Sequence, residues 1–251
     1  MKNIEVKVLN PEEIDRAKKM MVCVARLTQR GEKIKNMADF EALYNKGYTD
    51  QTIENMVKLP HPTIQKFGTI NVVVVGASRR FLAQITRHQN EVKFMSASLQ
   101  YSDYSGEADF VIPYEIYGTV QEAAYITQCS AAMYAYEKLI DYNVDNDSAG
   151  YAAPQGLRNV LIISATPYQW KHMIGQRICR RDTPETRYVM LKIWKELYDL
   201  DPIMFSPETT GPFCMRDSGC LEGKMSCGNP FPFDITPGAM LFCEFPKYLE
   251  D

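Results

Sequence analysis

Two nearly continuous apolar runs constrain this chain more than any other feature: Thr69 to Val75 (TINVVVV) and residues 157–165 (LRNVLIISA). Both read as buried strands, since β-branched segments without polar alternation pack inside a sheet. Each precedes a polar turn and a helix. Gly76-Ala77-Ser78 turns the chain, and Ser78 caps a helix starting at Arg79. Thr166-Pro167 starts a second helix that runs through about Ile178. Strand, turn and helix repeated in this way predict an α/β domain.

The remaining segments fit that plan. Residues 4–9 (IEVKVL) alternate as a strand. Asn10-Pro11-Glu12-Glu13 then opens a helix to about Arg26, with a cap, a proline at N1 and acids in the first turn. Residues 38–46 form a short helix, and Asp50 caps another that ends before Pro60. Residues 93–101 are extended or irregular. A long helix spans 119–142, its tyrosines and methionines serving core and subunit packing, and the Asn/Asp loop 143–148 ends it. Thr183-Pro184-Glu185 begins a helix to about Leu200. Residues 205–240 hold five prolines, five glycines and three cysteines, which predicts loops. The expected architecture is a central mixed sheet flanked by helices over residues 1–204, with a loop-rich extension at 205–251. Trp170 and Trp194 are expected as buried anchors.

Composition removes several classes of function. With 251 residues, 45% hydrophobic and 24% charged, the chain has the profile of a soluble globular protein. Its formal net charge of -3 offers no bulk attraction to a nucleic acid polymer or an anionic membrane. No apolar run reaches the length of a membrane span, and MKNIEVKVLNPEE lacks the apolar segment of a signal peptide. Seven cysteines without such a signal point to the reducing cytoplasm. Anion binding must therefore come from local groups: Arg79-Arg80, Arg87-His88 and residues 177–181.

On a helix from Ser78, the residues Gln84, Arg87 and His88 fall at i, i+3 and i+4 and share a face. An amide, a guanidinium fork and an imidazole suit a planar heterocycle bearing carbonyls, or a phosphate. A solvated helix end is the simpler alternative. The second helix carries His172, Arg177, Arg180 and Arg181; two such helices could line one cleft, though nothing in the sequence shows that they meet. His61, the remaining histidine, sits in the turn Pro60-His61-Pro62-Thr63 just before the first long strand.

These segments resemble the flavin-dependent thymidylate synthases. Arg87-His88-Gln89 and Ser98-Leu99-Gln100-Tyr101 resemble the two ends of that family's signature, with Gln84 three residues before it. Val24-Ala25-Arg26-Leu27-Thr28 is similar to its Ala-Arg-hydrophobic-Ser/Thr segment, and His61-Pro62-Thr63 to its His-x-Thr turn. Arg158-Asn159-Val160-Leu161 is similar to its Arg-x-Val-Leu strand, and Arg180-Arg181-Asp182, or Arg177, to the arginine closing its second helix. The resemblance spans roughly residues 20 to 200.

The resemblance implies an enzyme that converts dUMP to dTMP with FAD, taking its carbon from methylenetetrahydrofolate and its reducing power from NADPH. It implies a homotetramer whose active sites draw on several subunits. Thr28, His61, Thr63, Arg87, His88 and Gln89 would then contact the flavin. Gln84, Arg87, Ser98, Gln100, Arg158, Arg177 and Arg180 would surround the nucleotide, with Ser98 and Arg180 nearest the chemistry and Ser98 not acting as a nucleophile. The chain departs from the family pattern at Lys66-Phe67, Gln89, Met95-Ser96, Gln100 and Glu185-Thr186. Those departures leave open a different pyrimidine nucleotide, or a flavin- or nucleotide-binding protein without catalysis. Cys214-x5-Cys220-x6-Cys227 lacks a Cys-x2-Cys pair, so thiols without a metal are the simpler expectation, and a zinc or iron–sulfur ligand set is the alternative.

Overall fold

The computed structural model describes residues 1–106, 108–216 and 219–250. Four strands, β1 (Glu5–Val8), β2 (Ile70–Ser78), β3 (Val92–Ser96) and β4 (Arg158–Ala165), form one sheet. The helices are α1 (Glu12–Arg30), α2 (Met37–Tyr44), α3 (Asp50–Val57), α4 (Arg79–Ile85), α5 (Val120–Asp141), α6 (Asn146–Ala149), α7 (Pro167–Arg177), α8 (Pro184–Leu200), α9 (Pro207–Thr210) and α10 (Pro237–Glu244). None of the helices described is long and apolar enough to cross a membrane.

The α/β class holds, but the sheet is antiparallel between every pair of neighbours, in the order β1-β2-β4-β3, where a mixed sheet is expected. The crossover through α4 does bring β2 and β3 to the same direction, as a helical connection requires. β4 then inserts between them, antiparallel to both, so no parallel pair shares hydrogen bonds.

Alternate residues of β2 and β4 face the core: Ile70, Val72 and Val74 opposite Leu161, Ile163 and Ala165. α7 and α8 supply Trp170, Met173, Tyr188 and Trp194 to the same core. Trp170 Nε1 donates to Ile70 O at 3.0 Å and Trp194 Nε1 to Phe205 O at 2.9 Å, so both tryptophans are the buried anchors expected. The opposite face of the sheet is open. Val75 and Val160 pair across the strands at 40% and 42% exposure, and Ile162 pairs with Met95 at 40% and 75%. The continuous apolar runs are thus covered on one side only within a single chain.

Two helix starts follow the residues that signal them, whereas α1 begins after Pro11 without a side-chain cap, because Asn10 Oδ1 accepts from Asn71 N at 2.8 Å instead. Ser78 Oγ accepts from Phe81 N at 3.1 Å and Thr166 Oγ1 from Gln169 N at 3.3 Å. At α3 the cap is Thr49 in place of the expected Asp50, because Thr49 and Thr52 satisfy each other's backbone in a capping box. Gly76-Ala77-Ser78 does not turn the chain; it continues β2 through a bulge between Val75 and Ala77. Gly76 takes φ +81° there, and a Cβ would stand 2.7 Å from Asn3 O. Gly76→Ala is expected to cost at least about 1–2 kcal/mol for the backbone conformation alone, and an unchanged midpoint in urea would contradict this.

Beyond residue 205 most of the chain is loop, as expected, apart from single turns and α10, which Thr236 caps with Pro237 in the first turn. Met215, Phe231, Met240, Leu241, Phe245 and Leu249 join the main core.

Candidate functional site

The two expected helices do meet, and Arg177 joins them. From the end of α7 its Nε donates to His88 Nε2 at 2.9 Å and its Nη2 to Gln84 O at 3.1 Å. Its Nη1 pairs with Asp182 Oδ2 at 3.1 Å, both side chains being nearly buried. The shared helical face of Gln84, Arg87 and His88 is not formed. α4 stops at Ile85, where Thr86 closes it by hydrogen bonding Leu82 O through both its amide and its hydroxyl. The chain then leaves Arg87 and Gln89 exposed and turns His88 inward, to 8% exposure.

His88 meets His172 edge-on, with ring centroids 6.0 Å apart. Burial, aided by Arg177 and His172, pulls the His88 pKa down to about 4. At neutral pH it is therefore a neutral imidazole that accepts from Arg177 through Nε2. The sign of the pH effect follows. The junction is fully intact above the ordinary imidazole value of 6.5 and weakens as pH falls toward 4, where the unfolded chain binds the proton and the folded chain resists it. Thermal melting is expected to fall over that window, and less so in His88→Gln. A His88 resonance titrating near 6.5 in the folded protein would contradict this account.

His172 connects the junction to two cavities. One, of about 490 Å³, is lined by Gln65, Tyr168, Lys171 and Arg216 among others. Lys171 is 4% exposed, donates to Gln65 Oε1 at 2.9 Å, and is pulled down to about 7 by burial and then by Arg216. Arg216, itself drawn down to about 10 by burial, donates to the carbonyls of Gly211, Lys171 and Thr210. Among the described residues, neither cation is hydrogen-bonded to a carboxylate. Sequence reasoning missed both. The available signal was a lysine set beside Trp170 in the otherwise uncharged start of the second helix.

Around this cavity, Pro60, Pro62 and Gln65 belong to the His61 turn, while the side chains of His61 and Thr63 are exposed beside it. Lys66 of the same turn pairs with Glu91 Oε1 at 2.6 Å. Thr28, exposed near the end of α1, donates its hydroxyl to Ala25 O at 2.8 Å.

The residues expected around a nucleotide separate within the chain. Ser98 and Gln100 line a third cavity of about 410 Å³ with Arg79, Ser96, Asp147 and Tyr151. Ser98 Oγ accepts from Gln100 N at 3.1 Å, and among the described residues no base is hydrogen-bonded to it. Arg158 is committed elsewhere. Its Nη1 donates to Gly76 O at 2.7 Å and its Nη2 to Lys2 O at 2.9 Å, while Nε lies 2.7 Å from Asp109 Oδ2 without hydrogen-bond geometry. Arg180 faces the extension. Its Nη2 pairs with Glu244 Oε1 at 2.7 Å, its Nη1 donates to Asn229 O, and its guanidinium lies 3.9 Å from the Phe231 ring centre.

Residues 12–203, most of the chain, match the family model described as thymidylate synthase complementing protein. The chain belongs to that family. Among curated members, it is 23% identical over 178 residues to the flavin-dependent thymidylate synthase of Geobacter sulfurreducens, covering 70% of this chain and 75% of that one. It is 26% identical over 168 residues to the enzyme of the same name from Pyrococcus furiosus, covering 64% and 68%. Among solved structures, a UMP/dUMP methylase from Streptomyces cacaoi, bound with 5-Br dUMP, superposes with a TM-score of 0.64 at 16% identity, covering 81% of this chain and 94% of that one. The last likeness establishes a shared fold.

Proposed function

We propose that the chain is an enzyme that methylates C5 of a pyrimidine deoxynucleotide with a flavin: FAD-dependent conversion of dUMP to dTMP, using methylenetetrahydrofolate and NADPH. The observation that carries this reading is the junction of Arg177, His88 and Gln84, continued through His172 into the cavity of Lys171 and Arg216. The names of the family's members support it, as does the nucleotide analogue on the methylase that shares the fold.

The residues present fit a flavin. Lys171 is buried and Arg216 half-buried, and neither is hydrogen-bonded to a carboxylate among the described residues, so a bound pyrophosphate would supply the missing counter-charge and favour the protonated form of Lys171. The exposed side chains of His61, Thr63, Arg87, Gln89 and Thr28 would complete the cofactor's surroundings, with neutral His88 behind them. When bound, FAD would supply the hydride chemistry. The protein's part would be to orient the rings and exclude water. Ser98 and Gln100, joined by Arg79, would hold the nucleotide, and Arg79 stands as a substitute for the cation that Gln100 lacks.

Because Arg158, Arg177 and Arg180 make their polar contacts inside the chain, a complete site would need residues from further copies. The open sheet face of Val75, Val160, Ile162 and Met95 supports a homotetramer, as do the exposed Val120, Ile126 and Tyr134 of α5. Residues 1–204 would then carry the catalytic domain and residues 205–251 an extension of it. UMP is the second substrate to consider, since the methylase that shares the fold is described as acting on UMP and dUMP.

The absorbance spectrum of the purified protein tests the cofactor assignment. Flavin bands that NADPH bleaches are expected. A colourless protein that cannot take up added FAD would overturn the assignment.

A further inference from the structure

The second cavity beside His172, of about 370 Å³, lies between the end of α7 and the extension; apart from His172 and Arg180, its lining has no part in the flavin or nucleotide assignments above. Four of the seven cysteines line it: Cys179 from the link between α7 and α8, and Cys214, Cys220 and Cys227 from the extension. Cys179 and Cys214 are half-buried, and Cys220 and Cys227 are exposed on a loop. Sequence spacing alone gave three thiols in the extension. The fold brings the fourth from a residue 35 positions before Cys214, so the set is completed by tertiary structure.

The loop itself has little to hold it. Residues 221–230 are exposed throughout, and Gly219, Gly223 and Gly228 all take positive φ. Its internal bonds are a single turn at Gly223–Met225 and side-chain contacts of Ser226, which Cys220 Sγ approaches at 3.5 Å. Cys227 Sγ lies 3.5 Å from Asn229 O. Phe231, packed under Arg180, is its apolar anchor at one end. A segment so rich in turns, without a core of its own, is of the kind that a metal commonly fastens.

We propose that Cys179, Cys214, Cys220 and Cys227 form a tetrathiolate metal centre that staples the extension to the end of α7. As the chain stands, among the described residues no three His, Cys, Asp or Glu side chains lie close enough to ligate one ion. Binding would therefore draw the exposed loop inward, exchanging the weak thiol contacts to Ser226 and Asn229 for metal bonds. Each thiol gives up its proton to solvent on binding, and no electrons are exchanged when the four thiolates take a zinc ion or exchange onto a preassembled iron–sulfur cluster. Four thiolates suit either a tetrahedral zinc ion, with Zn–S near 2.3 Å, or an iron–sulfur cluster. The Arg180 guanidinium at the cavity wall would offset part of the resulting negative charge.

Elemental analysis of the full-length protein, purified anaerobically without chelators, tests the proposal and separates the two forms. About one zinc per chain, or roughly four irons with matching acid-labile sulfide, would support it. Either metal should protect four thiols from a thiol reagent until a chelator is added. Cys179→Ser and Cys227→Ser should each lower metal affinity by at least the roughly 10- to 100-fold seen on losing an outer-shell partner. Cys243→Ser, at an exposed cysteine of α10 outside the cavity, should leave metal content unchanged. If a variant fails to fold, Co²⁺ added to the apoprotein gives an independent readout through its thiolate charge-transfer bands. Absence of metal both as purified and after incubation with zinc, or with iron and sulfide, and with all four thiols reactive, would overturn the proposal. So would disulfides joining these cysteines in the anaerobic protein.

Discussion

Arg177→Ala is expected to destabilise the protein by about 3 kcal/mol, the low end of what breaking a buried ion pair costs. One guanidinium satisfies three partners there: the His88 ring, the Gln84 carbonyl and the Asp182 carboxylate. Removing it strands all three in a nearly dry junction. The His88 pKa should at the same time rise from about 4 toward 6.5, since a neighbouring cation is lost and water enters. Arg177→Lys should recover part of the Asp182 pairing and little else, because an ammonium cannot reproduce the three-way fork. Chemical denaturation together with an NMR titration of His88 checks both effects. An alanine variant of unchanged stability, with His88 still titrating near 4, would remove Arg177 from its organising role.

The second large effect is expected at Glu244. It receives Arg180 at 2.7 Å and also pairs with Arg187, and all three side chains are largely buried. Burial opposes its ionisation, but the two arginines more than offset this and hold the carboxyl below its usual range. Glu244→Ala leaves two guanidiniums facing each other, with an expected loss of about 3–5 kcal/mol. The damage should concentrate where α10 is held against α8, so amide exchange in α10 should accelerate before that of β2 and β4. Glu244→Gln should fall between wild type and alanine. Uniform protection across α10 in the alanine variant would contradict this.

Much of the frame was legible because local chemistry determines it. Ser78 and Thr166 cap the helices they were expected to cap, and Pro184 opens α8 in its first turn. The two apolar runs are strands, and each feeds the expected helix. The misreadings arise where a distant or competing contact decides. Thr86 ends α4 early by bonding back to Leu82, which local periodicity does not reveal. β4 takes the place beside β2 that a helical crossover would have offered β3. The contacts of Arg158 and Arg180 were not legible either: within one chain they tie Gly76, Lys2 and Glu244, partners 64 or more residues away in sequence. Lys171 escaped notice because its burial depends on partners far away in sequence, Gln65 lying 106 residues from it, and Arg216 because it reaches the Lys171 carbonyl from 45 residues on.

Flavin-dependent methylation of dUMP is the activity we propose for this chain. Incubating the FAD-loaded protein with dUMP, methylenetetrahydrofolate and NADPH, and following the nucleotide by mass spectrometry, tests it most directly. The account predicts dTMP, formed only when flavin, folate and reductant are all present. A protein that retains flavin but leaves dUMP unmethylated would contradict it.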